Sequence, residues 1–494
     1  GNSSISLSLF LQGRAIVRVI RDNPGGRMEV PYEGILETDN PEWFHIDIPL
    51  ANIGDARPGS RLRIELHTTG FMSLESTVEA TLLQAYWGTR ESMKREVKLG
   101  VVMCTYNNEQ LCLNNLQRLL SSGILEKEDI NFLLIDNGSS LKSKVPKHDR
   151  LHYISQRNLG GAGGFGRGLK ELVHGAYASL GVSHILLMDD DLSIEPEMIS
   201  RASRLHEYTQ QDCVIGGAML NLKIPNELYE TGAFSSREQP FVVTTNNERG
   251  PAHELNTLDL IGQATEFDYN AWWFCSLSID SVKEIGLPKP LFIHGDDMEY
   301  GERLRCSGRK IYCASGIGVW HDPFDSKPVT WMQYFDIRNL LILMATTHDP
   351  RNWSADEICW QLKKWISQNI MRYDYGRAAM IIEGVEDFMK GPAILDKLSS
   401  PHRVSELIDA YNKCNAPKEE GQSIKIKPRE PKTRSGKSRL SNFLKSKTYN
   451  YQLYVAIKSK HTHYTSQTEP VWKSDQGYKG RTRQYPQLGT RHKR

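Results

Sequence analysis

Long apolar runs are missing from this chain. No stretch approaches the ~18 consecutive apolar residues of a membrane-spanning helix, and the strongest, around Leu340–Ala345, is far too short, so no transmembrane helix is expected. Cysteine is sparse, with eight residues scattered through 494 and no CxxC pair. That argues against a disulfide framework and a zinc site, and for reduced thiols in a cytosolic protein. The N-terminal GNSSISLSLF has no basic region ahead of its apolar residues and no clear cleavage site, so a signal peptide is not expected. A strong charge excess is absent too, at +2, as is the composition of disorder: 39% hydrophobic and 24% charged residues are enough to build cores. The length corresponds to about three domains at ~150 residues each. There are no internal repeats.

The near-neutral total conceals a division. Residues 421–494 carry 18 Lys and Arg against three acids (Glu430, Glu469 and Asp475), a net of +15, which leaves −13 on the remainder. A basic tail on an acidic body suggests a polyanionic partner. Residues 1–95 hold short alternating runs such as IVRVI, WFHIDIPL and RLRIELHTTG, parted by the turn signals NPGG and DARPGS, and predict a small antiparallel β-sandwich. Residues 96–345 alternate apolar strands with helical stretches, which predicts an α/β domain with a largely parallel sheet covered by helices. Residues 346–415 have helical apolar spacing, and residues 416–494 form the polar, basic tail.

Function in such sheets gathers at the carboxyl ends of strands. Three apolar strands here end in polar sets: Thr105-Tyr106-Asn107, Asp136-Asn137-Gly138 and Asp189-Asp190-Asp191. The last carries the strongest chemistry. Asp189 and Asp191 are two apart, point to the same side and reach one hard cation, which keeps positions for a diphosphate. The bland alternative is a solvated acidic turn ahead of the helix opened by Glu195-Pro196-Glu197. The stretch from Asn158 to Gly166 contains GxGxxG at Gly161, Gly163 and Gly166, between a strand and a helix, with Asp189 roughly 20 residues on; this is the dinucleotide-binding pattern. Two strand-and-helix units precede it, and a triple Asp exceeds what a ribose needs, so a nicotinamide enzyme is the weaker reading. A glycine-rich loop would equally let the backbone approach a sugar nucleotide. Asp296 and Asp297 follow an apolar stretch and precede a helix, so they supply either a general base or a helix cap. His321 ends the GVWH strand, and a lone His gains weight as a metal ligand only if it meets the triple Asp. Trp272-Trp273 are core residues or a surface for stacking sugars; the sequence leaves this open.

In order, CTYNN, LLIDNGSS, MDDD, the late DD and WH resemble the family 2, GT-A-type glycosyltransferases. The longer motifs RNLGGAGGF, ILLMDDDLSIEPEMI, GGAMLNL, DYNAWWFC, PLFIHGDDMEYGERL, GVWHDPF and YFDIRNLLI resemble the polymerising galactofuranosyltransferases of mycobacterial galactan synthesis, densely over about residues 97–345. The resemblance implies a GT-A core, a UDP-galactofuranose donor, a divalent metal (Mn²⁺ or Mg²⁺) and inversion at the anomeric carbon. It assigns Asp189, Asp191 and His321 to the metal. Asp297 becomes the base, with Asp296 its neighbour, and Trp272 and Trp273 fall on the acceptor side. Thr105, Asn107, Asp136, Asn158, Gly160, Gly161 and Asp190 fall to the donor.

Asn108 stands where the relative has Arg, and Tyr229 and Ala233 stand where it has His and Glu. These departures bear on acceptor and linkage rather than on donor chemistry. The implied acceptor is a growing, lipid-linked glycan at the cytoplasmic face of the cell membrane, with the basic tail, including Lys445 and Lys447, against anionic headgroups and no nucleic acid as partner. The N-terminal region would align glycan or mediate homo-oligomers. The rival readings are a transferase of the same fold using another nucleotide sugar, rhamnosyl or hexosyl, and a non-catalytic carbohydrate-binding protein.

Overall fold

A computed structural model of the chain describes residues 4–23, 28–49, 61–68, 80–236, 240–241, 243–245, 250–251, 266–324, 329–347, 353–398 and 400–416. The basic tail lies outside the described residues, and with it the expected membrane contact. Among the described residues, no helix is long and apolar enough to cross a membrane.

The N-terminal region is antiparallel β. Strands β1 (Ser4–Asp22), β2 (Met28–Pro49), β3 (Arg61–Thr68) and β4 (Thr81–Thr89) form one four-stranded sheet among the described residues. The long strand β1 pairs with β2 throughout, with β4 along its first half and with β3 along its second. At the register shift between Leu11 and Gly13, β1 advances two residues while β2 advances four, so the alternation along β1 is kept. Leu7, Leu9 and Leu11 before it, and Ala15, Val17 and Val19 after it, therefore face one apolar cluster. The expected sandwich has one sheet among the described residues, built on the β1–β2 hairpin.

The α/β core follows. Its strands are β5 (Leu99–Thr105), β6 (Asn131–Asp136), β7 (Leu151–Ser155), β8 (His184–Asp189), β9 (Cys213–Asn221), β10 (Glu227–Glu230), β11 (Ala233–Ser235), β12 (Val243–Thr245), β13 (Gly250–Pro251), β14 (Phe274–Ser278) and β15 (Lys310–His321). The main sheet runs β13-β10-β9-β14-β8-β5-β6-β7, with β15 also on β9. Strands β5 to β8 are mutually parallel, β14 is antiparallel between β8 and β9, and β15 is parallel to β9. Both faces are covered, so β5, β6 and β8 are apolar at nearly every position. Alternation sends Val101 and Met103 into one core and Val102 into the other. Helix α1 (Glu109–Ser121) covers the first face with Cys112, Leu116 and Leu119, and α2 (Gly160–Val173) covers the second with Phe165, Leu169 and Leu172.

Helices α3 (Glu197–Tyr208), α4 (Ile279–Ile285) and α5 (Asp296–Cys306) flank the sheet. The C-terminal region is helical, as expected: α6 (Gln333–Thr346), α7 (Ala355–Met371), α8 (Tyr375–Met389) and α9 (Pro401–Asn415). A capping box between Ser354 and Glu357 starts α7. Ile337, Leu341, Ile358, Leu362, Ile366, Ile381 and Val385 join α6, α7 and α8 in one cluster.

Candidate active site

Strand β8 delivers the triple Asp to the carboxyl end of the sheet, and β15 delivers His321 to the same place. Ser193 and Trp320 exchange backbone hydrogen bonds of 2.7 and 3.0 Å, tying the segment after the carboxylates to the strand end that bears the histidine. From the other side, Asn115 of α1 donates to the carbonyls of Asp190 (3.0 Å) and Leu192 (2.7 Å). Asp189, Asp191 and His321 consequently offer ligand atoms within 4.8 Å of one another. His321 Nε2 lies 2.9 Å from Asp191 Oδ1, while Nδ1 donates to the Asp322 carbonyl at 2.7 Å. That carbonyl fixes the ring so that Nε2 faces the carboxylates.

The electrostatics match the geometry. Burial raises the Asp189 pKa, and the charge of Asp191 raises it further. Asp190 is pushed up to about 6, chiefly by burial, and its Oδ2 has no hydrogen-bond partner among the described residues. Burial draws the His321 pKa down, but the hydrogen bond and charge of Asp191, then Asp189, outweigh it and hold it raised. Carboxylates crowded at a strand end favour a cation between them. Two carboxylates and an imidazole can hold a divalent cation. The nearby Cys104 thiol is held well above its usual pKa, by burial first and Asp190 next.

The late acid pair opens α5. Gly295, at φ 76°, turns the chain so that Asp296 and Asp297 occupy the first turn. Asp297 Oδ1 accepts from the Met298 N–H at 2.8 Å. Burial raises both carboxyls, and the charge of Asp297 adds to the rise at Asp296. The two face different neighbours. Asp296 is felt at Asp189, and a Cβ on Gly161 would sit 3.1 Å from its Oδ2. Asp297 is felt at Glu230, Tyr269 and Cys275. Asp296 thus belongs with the metal cluster and the start of α2, and Asp297 with the β10 side.

Other expectations change on contact with the structure. The glycine-rich stretch is helix rather than loop, and the glycines form the first turns of α2. Their reason is close packing: a Cβ on Gly164 would lie 2.0 Å from Cys104 Sγ, and one on Gly168 2.2 Å from Val102 Cγ1. Gly160 has φ 70°, and a Cβ there would meet the Phe292 carbonyl oxygen at 2.0 Å. Asn158 Oδ1 accepts from the Gly160 N–H at 2.8 Å. Asp136 is fully buried and spends its carboxylate on its own loop, accepting from Gly138 N–H (2.9 Å), Leu141 N–H (2.9 Å) and the Tyr153 hydroxyl (2.8 Å). It shapes the loop rather than facing a nucleotide. Thr105 is buried at the end of β5, and Asn107 is exposed with φ 54°.

The tryptophans are corrected. Trp272 packs edge-on to Phe165 and Tyr300 in one core, and Trp273 belongs to the other, with its Nε1 donating to the Gly217 carbonyl at 2.9 Å. At 5% and 2% exposure, neither offers a face to a sugar. Sequence reasoning missed Glu230, pushed up to about 8 by burial and then by Asp297. It also missed His294, whose Nδ1 lies 2.7 Å from Asp336 Oδ1. His294 stands in the PLFIHGDDMEYGERL motif, two residues before Asp296, and could have been found there; Glu230 lies outside the quoted motifs, and the fold alone reveals it.

Residues 100–257 match the family described as Glycosyl transferase family 2. This segment is a family 2 glycosyltransferase domain. Around it, the chain is 28% identical over 413 residues to the galactofuranosyltransferase GlfT2 of Mycolicibacterium smegmatis, covering 79% of this chain and 61% of that protein. It is 26% identical over 361 residues to GlfT2 of Mycobacterium tuberculosis, covering 68% and 55%. The chain therefore spans less than two thirds of these curated relatives. Among solved structures, residues 1–349 of TarS from S. aureus align at 13% identity and a TM-score of 0.38, covering 65% of this chain and 90% of that one.

Proposed function

We propose that this family 2 chain is an inverting galactofuranosyltransferase, moving galactofuranose from UDP-galactofuranose to a hydroxyl of a growing cell-surface glycan. The galactofuranosyltransferase relatives support the donor. One observation supports the mechanism above all: a cation cluster, Asp189, Asp191 and His321, with an acid pair at the start of α5, Asp296 buried and Asp297 half-buried, whose Asp296 is felt at Asp189. Asp297, on the β10 side, takes the proton from the acceptor hydroxyl as that oxygen attacks the anomeric carbon. The Met298 N–H and the charge of His294 favour its ionised form, against burial. Asp296 stands between the base and the metal cluster. Asp189, Asp191 and His321 would hold Mn²⁺ or Mg²⁺, which when bound neutralises charge on the departing UDP. A single displacement needs no protein nucleophile. The acceptor is a lipid-linked glycan, and the basic tail contacts anionic headgroups at about 1 kcal/mol per charge.

The test is UDP release from UDP-galactofuranose with Mn²⁺ and short galactofuranose or galactose acceptors, with rhamnosyl and hexosyl nucleotide donors in parallel. Wild type should turn over. Asp189→Ala should lose metal-supported turnover, and Asp297→Asn should keep donor binding while kcat falls roughly 10²–10⁴-fold. Turnover of another nucleotide sugar, with UDP-galactofuranose inert, would refute the donor. Glycan binding without turnover of any donor would refute the enzyme.

A further inference from the structure

The backbone leading into the acid pair is left-handed at three of four residues: Phe292 (φ 76°), His294 (φ 62°) and Gly295 (φ 76°). Two of these are not glycine. Such conformations persist where the surroundings over-determine them, and they cluster at functional sites. Here one face of α6 does the holding. Asn339 Nδ2 donates to the carbonyls of His294 (2.6 Å), Ile293 (2.8 Å) and Leu291 (3.2 Å). Its Oδ1 accepts from Arg338 Nε at 2.9 Å, which fixes the end of the amide that faces the segment. Arg338 is fully buried, donates from Nη2 to the Leu291 carbonyl at 2.7 Å, and lies over the Phe335 and Tyr334 rings. One turn earlier on the helix, Asp336 takes His294 Nδ1 at 2.7 Å. From the opposite side, the Ala162 N–H of α2 donates to the Phe292 carbonyl at 3.3 Å.

The same helix is anchored in the C-terminal region. The Tyr334 hydroxyl donates to Asp387 Oδ2 of α8 at 2.7 Å, and Arg403 of α9 reaches that oxygen at 2.6 Å. With Arg338 Nη1 donating to the Tyr334 hydroxyl at 3.4 Å, a continuous set of hydrogen bonds runs from α9 to His294, two residues before Asp296. An apolar contact would suffice to dock a helix on a loop. An amide serving three carbonyls of one short segment defines the path of that segment.

We propose that Asn339 is a positioning residue for glycosyl transfer: its amide holds the left-handed segment before α5 and so aims Asp297 at the acceptor hydroxyl. Asp297 as the base, from the reading above, underlies this role. Asn339 itself touches neither substrate nor reacting atoms.

The experiment uses the full chain with Asn339→Asp, which keeps the size and the acceptor for Arg338 but turns oxygen toward the three carbonyls. Two quantities are measured: steady-state transfer from UDP-galactofuranose, and amide hydrogen exchange of the whole chain. The expected result is a kcat loss of about 100-fold, the scale of an ångström's misplacement. KM for the donor should stay within twofold. Exchange should rise at Ile293–Met298 while β5 and β8 keep their protection. A kcat within threefold of wild type would overturn the proposal. So would increased exchange spread evenly over β8 and α6 to α9, with kcat and KM failing together, since that is general loosening. If Asn339→Asp does not fold, Asn339→Ser keeps one donor and should give the same local exchange with a smaller kcat loss. If wild type proves inert toward every nucleotide sugar, the transferase reading falls, and local against general exchange still decides whether Asn339 holds the segment before α5.

Discussion

Gly166 and Gly168 lie in the same helix, two residues apart, and should respond oppositely to alanine. Removing glycine from a helix interior is worth about 1 kcal/mol at either position. At Gly166 the new Cβ meets only Pro288 Cδ, at 3.9 Å, an ordinary contact. Gly166→Ala should therefore stabilise by about 1 kcal/mol. At Gly168 the new Cβ would stand 2.2 Å from Val102 Cγ1 and 2.8 Å from Cγ2. Val102 is β-branched and fully buried in β5, so it cannot rotate away. Overpacking of this kind costs about 1–3 kcal/mol or more, which exceeds the helix gain. The helix gain is common to both, so the two variants should differ by the overpacking cost, about 1–3 kcal/mol, which for domains of this size is roughly 2–12 °C in unfolding temperature. Thermal unfolding with and without UDP and Mn²⁺ measures it. Gly166 is the third glycine of the GxGxxG pattern. If Gly166→Ala abolished nucleotide binding, or destabilised as much as Gly168→Ala, glycines for packing rather than for a ligand would be the wrong explanation.

Three further outcomes are expected. Mn²⁺ at 100 times its Kd should stabilise wild type by about 2.7 kcal/mol, and His321→Ala should need at least tenfold more metal for the same shift, by calorimetric titration. Glu230 is raised from 4.5 to about 8 in the folded chain, so the folded state holds its proton more tightly than the unfolded one. Wild-type stability should then fall through that window by up to about 1.4 kcal/mol per pH unit from this group. The advantage of Glu230→Gln should accordingly grow from pH 5 to pH 8 in urea unfolding, and an advantage independent of pH would contradict the assigned burial. Asp136→Asn sets an amide N–H against an N–H or O–H that Asp136 now accepts, and should cost about 1–3 kcal/mol without changing metal affinity. Weakened UDP binding at unchanged stability would instead return Asp136 to the nucleotide.

Strand ends were legible because a doubly covered sheet demands unbroken apolar strands, so the polar sets after Met103 and Met188 stood out. The same contrast exposed Asp296 and Asp297 after Leu291–Ile293. The glycine stretch was misleading, because glycine signals close approach without saying what approaches. In the fold it is Cys104, Val102 and Phe292. Trp272 and Trp273 were ambiguous for a related reason: they sit in the turn ahead of β14, and only the packing on both sides of the sheet places one ring in each core.

Local sequence determined which residues carry charge, which are apolar and where a strand must stop, since these follow from side-chain chemistry and spacing along one element. It thereby determined the α/β core and the carboxylates at its edge. The tertiary structure alone decided which groups meet. His321 reaches Asp191 across more than a hundred intervening residues because Trp320 pairs with Ser193. Glu230 faces Asp297, and Asn339 holds the backbone before it, because long-range packing closes those distances. Burial then sets the protonation of each group, and burial is a property of the whole fold rather than of any segment.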